Sequence, residues 1–430
     1  MIKIMCLNFI FPEFLYETNV WEMTSLPHPK AVARTKSPGH TLALGSKEWI
    51  VENDNCGDVG VVEKRLKITS CEEGFFTCFV GTCIDITKRC DTVNDCGDWS
   101  DEKDCNLVIF PESYCKEFPP LVSNGINQKR LQVKVTSAIN DILEINEIDA
   151  KFSCKFTLSL EWKDDRVEYQ NLQEKYDKNK LNEESKRKLW VPTPIFTNTD
   201  VNKEALVDIR SKLFIKNEGN YTYAKEEVTD ETRVYKGSEN PILYTRSYSI
   251  SFLCDYDLML YPFDTQTCKI VLDLPVFEQS LVKMVSKGIT MKGKTQLLKY
   301  GLKKWLMEDT KSGSVIKIIF GRKILSQVLT TYLPTILLVL IIHSTNYYRD
   351  FFFEAVVTVN LTGDGNYQIS YSSINFQIGM LVLTTMFVSV AGSLPQTSNV
   401  KMIEVWLLSC LMVPFTEVLL QVLISISAKN

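Results

Sequence analysis

The sequence predicts a multidomain membrane protein: a small disulfide-stapled module, then an all-β sandwich, then an α-helical transmembrane bundle. Three observations carry that reading. Six cysteines crowd the window Cys71–Cys105. Apolar residues recur at every second position from Phe152 to Trp162. Near the C-terminal end, Ile324–Ile342 has no charged residue at all.

The whole-chain numbers are consistent with this and exclude other classes. The 430 residues are 45% hydrophobic and 23% charged with a formal net charge of −4, which argues against a nucleic-acid partner, since such a domain shows a basic stripe. Three histidines (His28, His40, His343) leave little material for a histidine-rich metal site or a Ser-His-Asp hydrolase. No phosphate-loop, dinucleotide, zinc-protease or nucleophile-elbow string occurs, so the chain reads as no enzyme.

Residues 1–70 carry no assignment. Ile4–Phe11 is a short apolar run interrupted by Asn8, without a small-residue cleavage site after it. Residues 12–55 read as loop or as a fragment of a larger module.

The next window runs Cys71, Cys78, Cys83, Cys90, Cys96, Cys105. So short a segment cannot bury a sufficient core, and cysteines at this density are a disulfide framework formed in an oxidising compartment. Asp91, Asp95, Asp98, Asp101 and Glu102 crowd its last two loops. Without a cation they would repel one another, and hard oxygen donors in that number suit Ca²⁺.

Residues 106–130 are rich in Pro, Gly and Asn and read as a linker. From Leu131 the text turns to strand alternation. Phe152, Cys154, Phe156, Leu158, Leu160 and Trp162 make a half-buried strand, with Cys154 a small apolar core residue. Further short runs, Ser247–Leu253 and Lys269–Leu274, complete a sandwich pattern over 131–322. Inside it Cys254 and Cys268 bracket a segment containing Tyr261-Pro262-Phe263-Asp264. Disulfides place everything before the first span outside the cell, and the acceptor Asn220-Tyr221-Thr222 fits that side.

The region 323–430 reads as transmembrane, with spans at about 324–342, 351–390 and 405–426; the first and last are near the length a helix needs to cross a bilayer, and the middle one reaches ordinary length once 363–379 is left out. The middle span is interrupted. Polar residues 363–379 separate two apolar halves, and open backbone there could not face lipid. The stretch reads as inserted sequence, either a retained intron or a true pore-loop insertion.

Two resemblances follow from these residues. Cys90-Asp91 through Asp101-Glu102, with its six cysteines, resembles an LDL-receptor class A repeat. The resemblance implies bridges Cys71–Cys83, Cys78–Cys96 and Cys90–Cys105. It also implies structural Ca²⁺ held by the side chains of Asp91, Asp95, Asp101 and Glu102 and the backbone carbonyls of Lys88 and Val93. Lys88 stands where the family often has Trp, a departure of little weight if only the carbonyl serves.

The larger part, 131–430, resembles the Cys-loop ligand-gated ion channels, and a repeat of this kind preceding such a channel is an arthropod-like arrangement. The Cys254–Cys268 loop, Trp162 with Asp164 and Arg166, Leu189-Trp190-Val191-Pro192, Phe320-Gly321-Arg322, Pro334, Ser393-Leu394-Pro395 and Lys401–Trp406 carry that resemblance. It implies a homo- or hetero-pentamer in the plasma membrane, multi-pass, with a small-molecule agonist site between β-domains and a Cys254–Cys268 bridge. It further implies gating through Asp264 and Arg322, a hydrophobic constriction at Leu381, and selectivity at Glu354, whose ring would favour cations. Aromatic agonist candidates are Trp190, Tyr300 and Trp305, suited to a cationic amine, and Asn220 is the expected glycan site. The family's large cytoplasmic loop and fourth span do not occur in these residues. The competing reading is a non-conducting auxiliary subunit or surface receptor that uses the repeat to dock an extracellular protein; a non-functional gene-model product is the remaining one.

Overall fold

The computed structural model describes residues 2–4, 7–9, 12–24, 31–36, 43–52, 61–124, 127–199, 203–204, 210–223, 231–345, 371–394 and 400–427. Two five-stranded sheets make the sandwich. The first runs in the order Lys212–Ile215, Ile242–Leu253, Lys151–Trp162, Leu131–Asn146, Val282–Met291, and the last pair is parallel. The second runs Lys203–Glu204, Ile195–Phe196, Thr265–Asp273, Gly313–Arg322, Tyr300–Asp309.

The alternation read in the sequence is the alternation of burial. Phe152, Cys154, Phe156, Leu158, Leu160 and Trp162 all face inward, because successive side chains of a strand point to opposite faces. They meet Ile270, Leu272, Ile316, Ile318 and Phe320 of the facing sheet in one continuous core. Burial pushes the Cys154 thiol up to about 12, so it packs as an apolar group and not as a nucleophile. The Cys254–Cys268 bridge ties the end of one sheet's strand to the other sheet.

The described residues of 12–55 are largely strand, not loop. Glu13–Leu15, Val20–Thr24, Val32–Thr35, Gly45–Glu52 and Val61–Ile68 form an antiparallel meander around Met23, Ala33, Trp49 and Val51. The meander seats on the six-cysteine module at Gly45, where φ is +85° and a Cβ would lie 2.1 Å from the Phe79 carbonyl oxygen. Only glycine fits that approach.

Residues 106–130 are likewise more than a linker. Val108–Ile109 pairs with Glu168–Gln170, and Phe110 stacks edge-on to Tyr114. The Tyr114 hydroxyl accepts from the Trp190 backbone N–H at 2.9 Å. Arg166 grips both Asp164 carboxylate oxygens (2.8 and 2.7 Å) and donates to the Cys115 and Phe118 carbonyls. The Trp162–Asp164–Arg166 motif is thus a latch that fastens the incoming chain to the sandwich.

The longer helices are α2 (Leu333–Thr345), α3 (Tyr371–Ser393) and α4 (Met402–Ser427), after the short α1 (Glu183–Lys188) within the sandwich. With the turns before it, α2 belongs to an apolar run, Leu325–Ser344, of mean hydropathy 2.0, long enough to cross a membrane. A π-helical stretch, Val328–Tyr332, precedes Pro334, which has no N–H to offer the preceding turn. The expected break at 363–379 falls partly on described residues. From Tyr371 onward the polar text is already helix, continuous with Met380–Ser393, while 351–370 lies outside the described residues.

Candidate functional site

The sandwich meets the helices at a buried charge junction. Arg322 ends the strand that leads into the first membrane helix, and its guanidinium holds both oxygens of Asp264 at 2.6 and 2.9 Å. It also donates to Glu147 at 2.9 Å and to the Tyr300 hydroxyl, which itself donates to Glu147. Side-chain exposures of 5% for Arg322, 2% for Asp264 and 10% for Glu147 mean that little water screens the group. Burial alone would lower the Arg322 pKa; the bonds to Asp264 and Glu147 outweigh it and hold the guanidinium charged. One cation therefore ties together three separate places: the Cys254–Cys268 loop, the turn after Asn146, and the strand entering the membrane. Breaking a buried pair from one side costs about 3–5 kcal/mol, because the other charge is left stranded.

The disulfide loop also inserts among the helix ends. Leu258 and Tyr261 pack with Leu394, Ile403 and Leu407, and the Met402 N–H donates to the Met259 carbonyl at 2.8 Å. Phe263 meets Tyr332 at 6.1 Å between ring centroids. The Tyr261–Pro262 bond at the loop's tip is cis.

On α3, Leu383, Phe387 and Val390 face the other helices and the disulfide loop, as does Leu394 just beyond its end. Leu381, at 64% exposure, shares its stripe with Thr385 and Val388, turned away from α2 and α4. Glu354 lies outside the described residues.

The three aromatic candidates do not form a box. Trp190 is buried edge-on against Trp162, 5.9 Å between ring centroids. Tyr300 belongs to the Arg322 junction. Trp305 is half-buried on the strand Tyr300–Asp309, opposite Ile318. Two of the three are committed to packing and to the junction, a role that residue type alone could not distinguish from ligand contact.

A cleft of about 900 Å³ lies under the hairpin that joins Tyr300–Asp309 to Gly313–Arg322. Lys129, Arg130, Lys283 and Lys311 line it, and Leu274 and Met284 contribute apolar wall. Its acid, Asp309, already accepts from the Ser286 N–H at 2.6 Å. Four cations facing one occupied carboxylate make the cleft electropositive, the opposite of a site for an amine.

In the six-cysteine module the bridges are Cys71–Cys83, Cys78–Cys96 and Cys90–Cys105. Phe76, Cys78 and Cys96 are its whole buried cluster. Asp101 is fully buried, its Oδ2 accepts from the Asp95 N–H at 2.8 Å, and its Oδ1 has no hydrogen-bond partner. Glu102 accepts from the N–H groups of Asp91 and Thr92. Burial raises its pKa more than those bonds lower it. A buried carboxylate oxygen without a donor is costly, and a cation would satisfy it, so the donor set fits Ca²⁺. Among the described residues no three His, Cys, Asp or Glu side chains already stand as a metal cage. Ammonium groups stand on two of the carboxylates instead: Lys88 on Asp95 Oδ1 at 2.8 Å, and Lys178 of the sandwich at 3.6 Å from Asp91 Oδ2.

Glu231, which sequence reasoning missed, fixes the module to the sandwich. Its carboxylate pairs with Lys67 and accepts from the Thr77 N–H, while Arg89 donates to its carbonyl and to Thr232 Oγ1, both at 2.7 Å. Asn220 is exposed at the surface of the same domain.

Comparison with known proteins agrees with this geometry. Residues 109–317 match the neurotransmitter-gated ion-channel ligand binding domain, and residues 69–105 the low-density lipoprotein receptor domain class A. Modules of the latter kind generally bind calcium. The chain is 25% identical over 302 residues to the gamma-aminobutyric acid receptor subunit theta of Mus musculus, covering 67% of this chain and 41% of that protein. It is 21% identical over 344 residues to the glutamate-gated chloride channel of Drosophila melanogaster, covering 77% and 66%. Against the serotonin-gated chloride channel mod-1 of Caenorhabditis elegans it is 20% identical over 325 residues, covering 73% and 58%. The chain spans about half the length of these relatives. These relatives are channels and not enzymes. The chain thus carries a neurotransmitter-gated ion-channel ligand binding domain, with a low-density lipoprotein receptor class A domain ahead of it, and is similar to subunits of Cys-loop ligand-gated channels.

Proposed function

We propose that the chain is a pentamer-forming subunit of a plasma-membrane channel opened by an extracellular small molecule. The observation that carries this reading is the Arg322 junction. A displacement of the sandwich must pass through Asp264, Glu147 or the seated disulfide loop to reach the helices, and a buried pair of this kind can bias two states. The exposed stripe of Leu381, Thr385 and Val388 supports a pore lining on α3, with Leu381 as a water-excluding constriction. A non-conducting receptor would have no use for that coupling.

The agonist is anionic or carries a carboxylate, and the four cations of the hairpin cleft support that choice over the aromatic amine site expected from sequence. Glutamate and γ-aminobutyrate, named for two of the relatives, have such a group; serotonin, named for the third, has none. A Glu354 ring favours cations, whereas two relatives are chloride channels by name, so the reversal potential under ion substitution assigns the selectivity. Ca²⁺ at Asp91, Asp95, Asp101 and Glu102, with the Lys88 and Val93 carbonyls, would neutralise the acidic loops, and Asn220 would carry glycan.

Voltage clamp of oocytes given glutamate, γ-aminobutyrate and serotonin in turn tests this. Arg322→Gln should abolish evoked current at unchanged surface expression, and Leu381→Ser should leave a standing current without agonist. Surface-expressed Leu381→Ser chains that gate as wild type would overturn the pore assignment. A response to serotonin alone would overturn the anionic site.

A further inference from the structure

The segment Lys88–Asp91 does two jobs. The Lys88 carbonyl and the Asp91 carboxylate belong to the acidic set of the repeat. Arg89 and Asp91 of the same segment hold the repeat to the ligand-binding domain. Arg89 donates to the Glu231 carbonyl, the Arg89 carbonyl accepts from Gln173 Nε2 at 3.0 Å, and the Asp91 carbonyl accepts from Lys178 Nζ at 3.2 Å. The metal loop and the docking loop are one piece of backbone.

Lys178 is not a loose surface side chain. The next residue, Asn179, is fully buried and clamps the loop, bonding the Gln173 N–H and carbonyl at 2.8 and 2.9 Å and the Ile215 carbonyl at 3.1 Å. Ile215 ends an edge strand of the sandwich's first sheet. A push on Lys178 therefore reaches the first sheet through the adjoining Asn179 and its hydrogen bond to Ile215.

We propose that the repeat is an extracellular calcium sensor for the channel, in which Ca²⁺ and Lys178 compete for Asp91. The proposal rests on the calcium reading above. A divalent ion must come within about 2.3–2.6 Å of its oxygens, and the Lys178 ammonium already stands 3.6 Å from one of the same carboxylate's oxygens. Two cations on one carboxylate repel each other, so occupancy weakens the Lys178 contact, and by linkage the contact weakens calcium binding. Lys88 on Asp95 opposes the ion in the same way, but from within the repeat, without touching the dock.

The test is a calcium titration of the purified full chain by equilibrium binding, paired with amide hydrogen exchange over residues 172–180. Lys178→Gln should tighten calcium about two- to fivefold, the range of one partly exposed ion pair. Lys88→Gln should do the same. Lys304→Gln, which removes an equal charge from the strand Tyr300–Asp309, should leave the affinity unchanged. Calcium should speed exchange over 172–180 in wild type and in Lys88→Gln, but not in Lys178→Gln. Calcium affinity in Lys178→Gln equal to or weaker than wild type overturns the competition. Absence of saturable calcium binding in wild type, or full binding in Asp101→Asn, overturns the calcium reading and the sensor with it.

Discussion

The repeat and the ligand-binding sandwich lie side by side and are stabilised by opposite means. The sandwich buries a continuous apolar core between two sheets and carries one disulfide. The repeat buries Phe76, Ile86 and two of its own half-cystines and carries three disulfides. A fully buried large side chain stabilises by about 1.5–3 kcal/mol, so the sandwich has many independent contributors. The repeat has few, and its fold rests on covalent links and on what satisfies its carboxylates. The difference suggests where each can be switched: the repeat by a cation or a reductant, the sandwich only by a ligand that rearranges packed elements.

The sharpest way to break the sandwich is through its aromatic centre. Phe156 stacks on Tyr248 at 5.4 Å and meets Phe196 and Phe252 edge-on or tilted at 5.5 and 5.9 Å. Phe156→Ala should cost about 3–5 kcal/mol, seen as faster amide exchange across Lys151–Trp162 and Ile242–Leu253. The three bridges of the repeat should still form, as peptide mapping without reductant would show. Equal loss of protection in the repeat would mean that the two parts unfold as one unit, joined through Glu231.

The converse experiment acts on the repeat. Cys78 and Cys96 enclose the longest of its three loops, with a sequence separation of 18. Replacing both with Ser should cost about 3 kcal/mol by loop-closure entropy, enough to unfold a module with so small a core. Calcium binding should vanish while exchange in the sandwich strands stays within error of wild type. Agonist-evoked current that also vanished at normal surface expression would make the repeat a required part of gating.

Legibility from sequence divides along the same line. The repeat was readable because its spacing is local: every cysteine and acid that matters lies within one short window. The strand from Phe152 to Trp162 was readable because one face is buried, which enforces a period of two. The Asp264–Arg322 pair was placed by resemblance. Its companion Glu147 was not, because a lone acid in a turn, far from Arg322 in the chain, carries no pattern. Glu231 and Lys178 were invisible for the same reason, since their partners Lys67, Arg89 and Asp91 belong to other modules. The amino-terminal meander escaped notice because its strands are short and rich in charge, and Pro27, Pro29 and Gly39 punctuate the text between them. The place of Tyr300 at the Arg322 junction was not legible, because an aromatic in a binding loop and one at a charge junction look alike until their neighbours are known.

The smallest effect expected is a pH dependence confined to the sandwich. Glu161 accepts from Lys134 Nζ at 2.6 Å and pairs also with Lys216, joining two strands of the first sheet to the residue that follows the strand Lys212–Ile215. Partial burial pushes its pKa up, but the two ammonium groups outweigh that and hold the carboxyl below the usual range. A carboxyl depressed in the folded state contributes stability above its unfolded value, near about 4.3, and loses it as pH falls through the folded value. Its partners are partly exposed, so the contribution is below about 1 kcal/mol and shrinks in salt. Glu161→Gln should flatten this part of the acid limb when exchange across Leu131–Asn146 is followed below pH 5. The repeat, whose acidic loops dominate its own response, should titrate unchanged in the same variant. An acid limb in the sandwich that Glu161→Gln does not alter would mean that the Lys134 and Lys216 contacts are surface pairs without energetic weight.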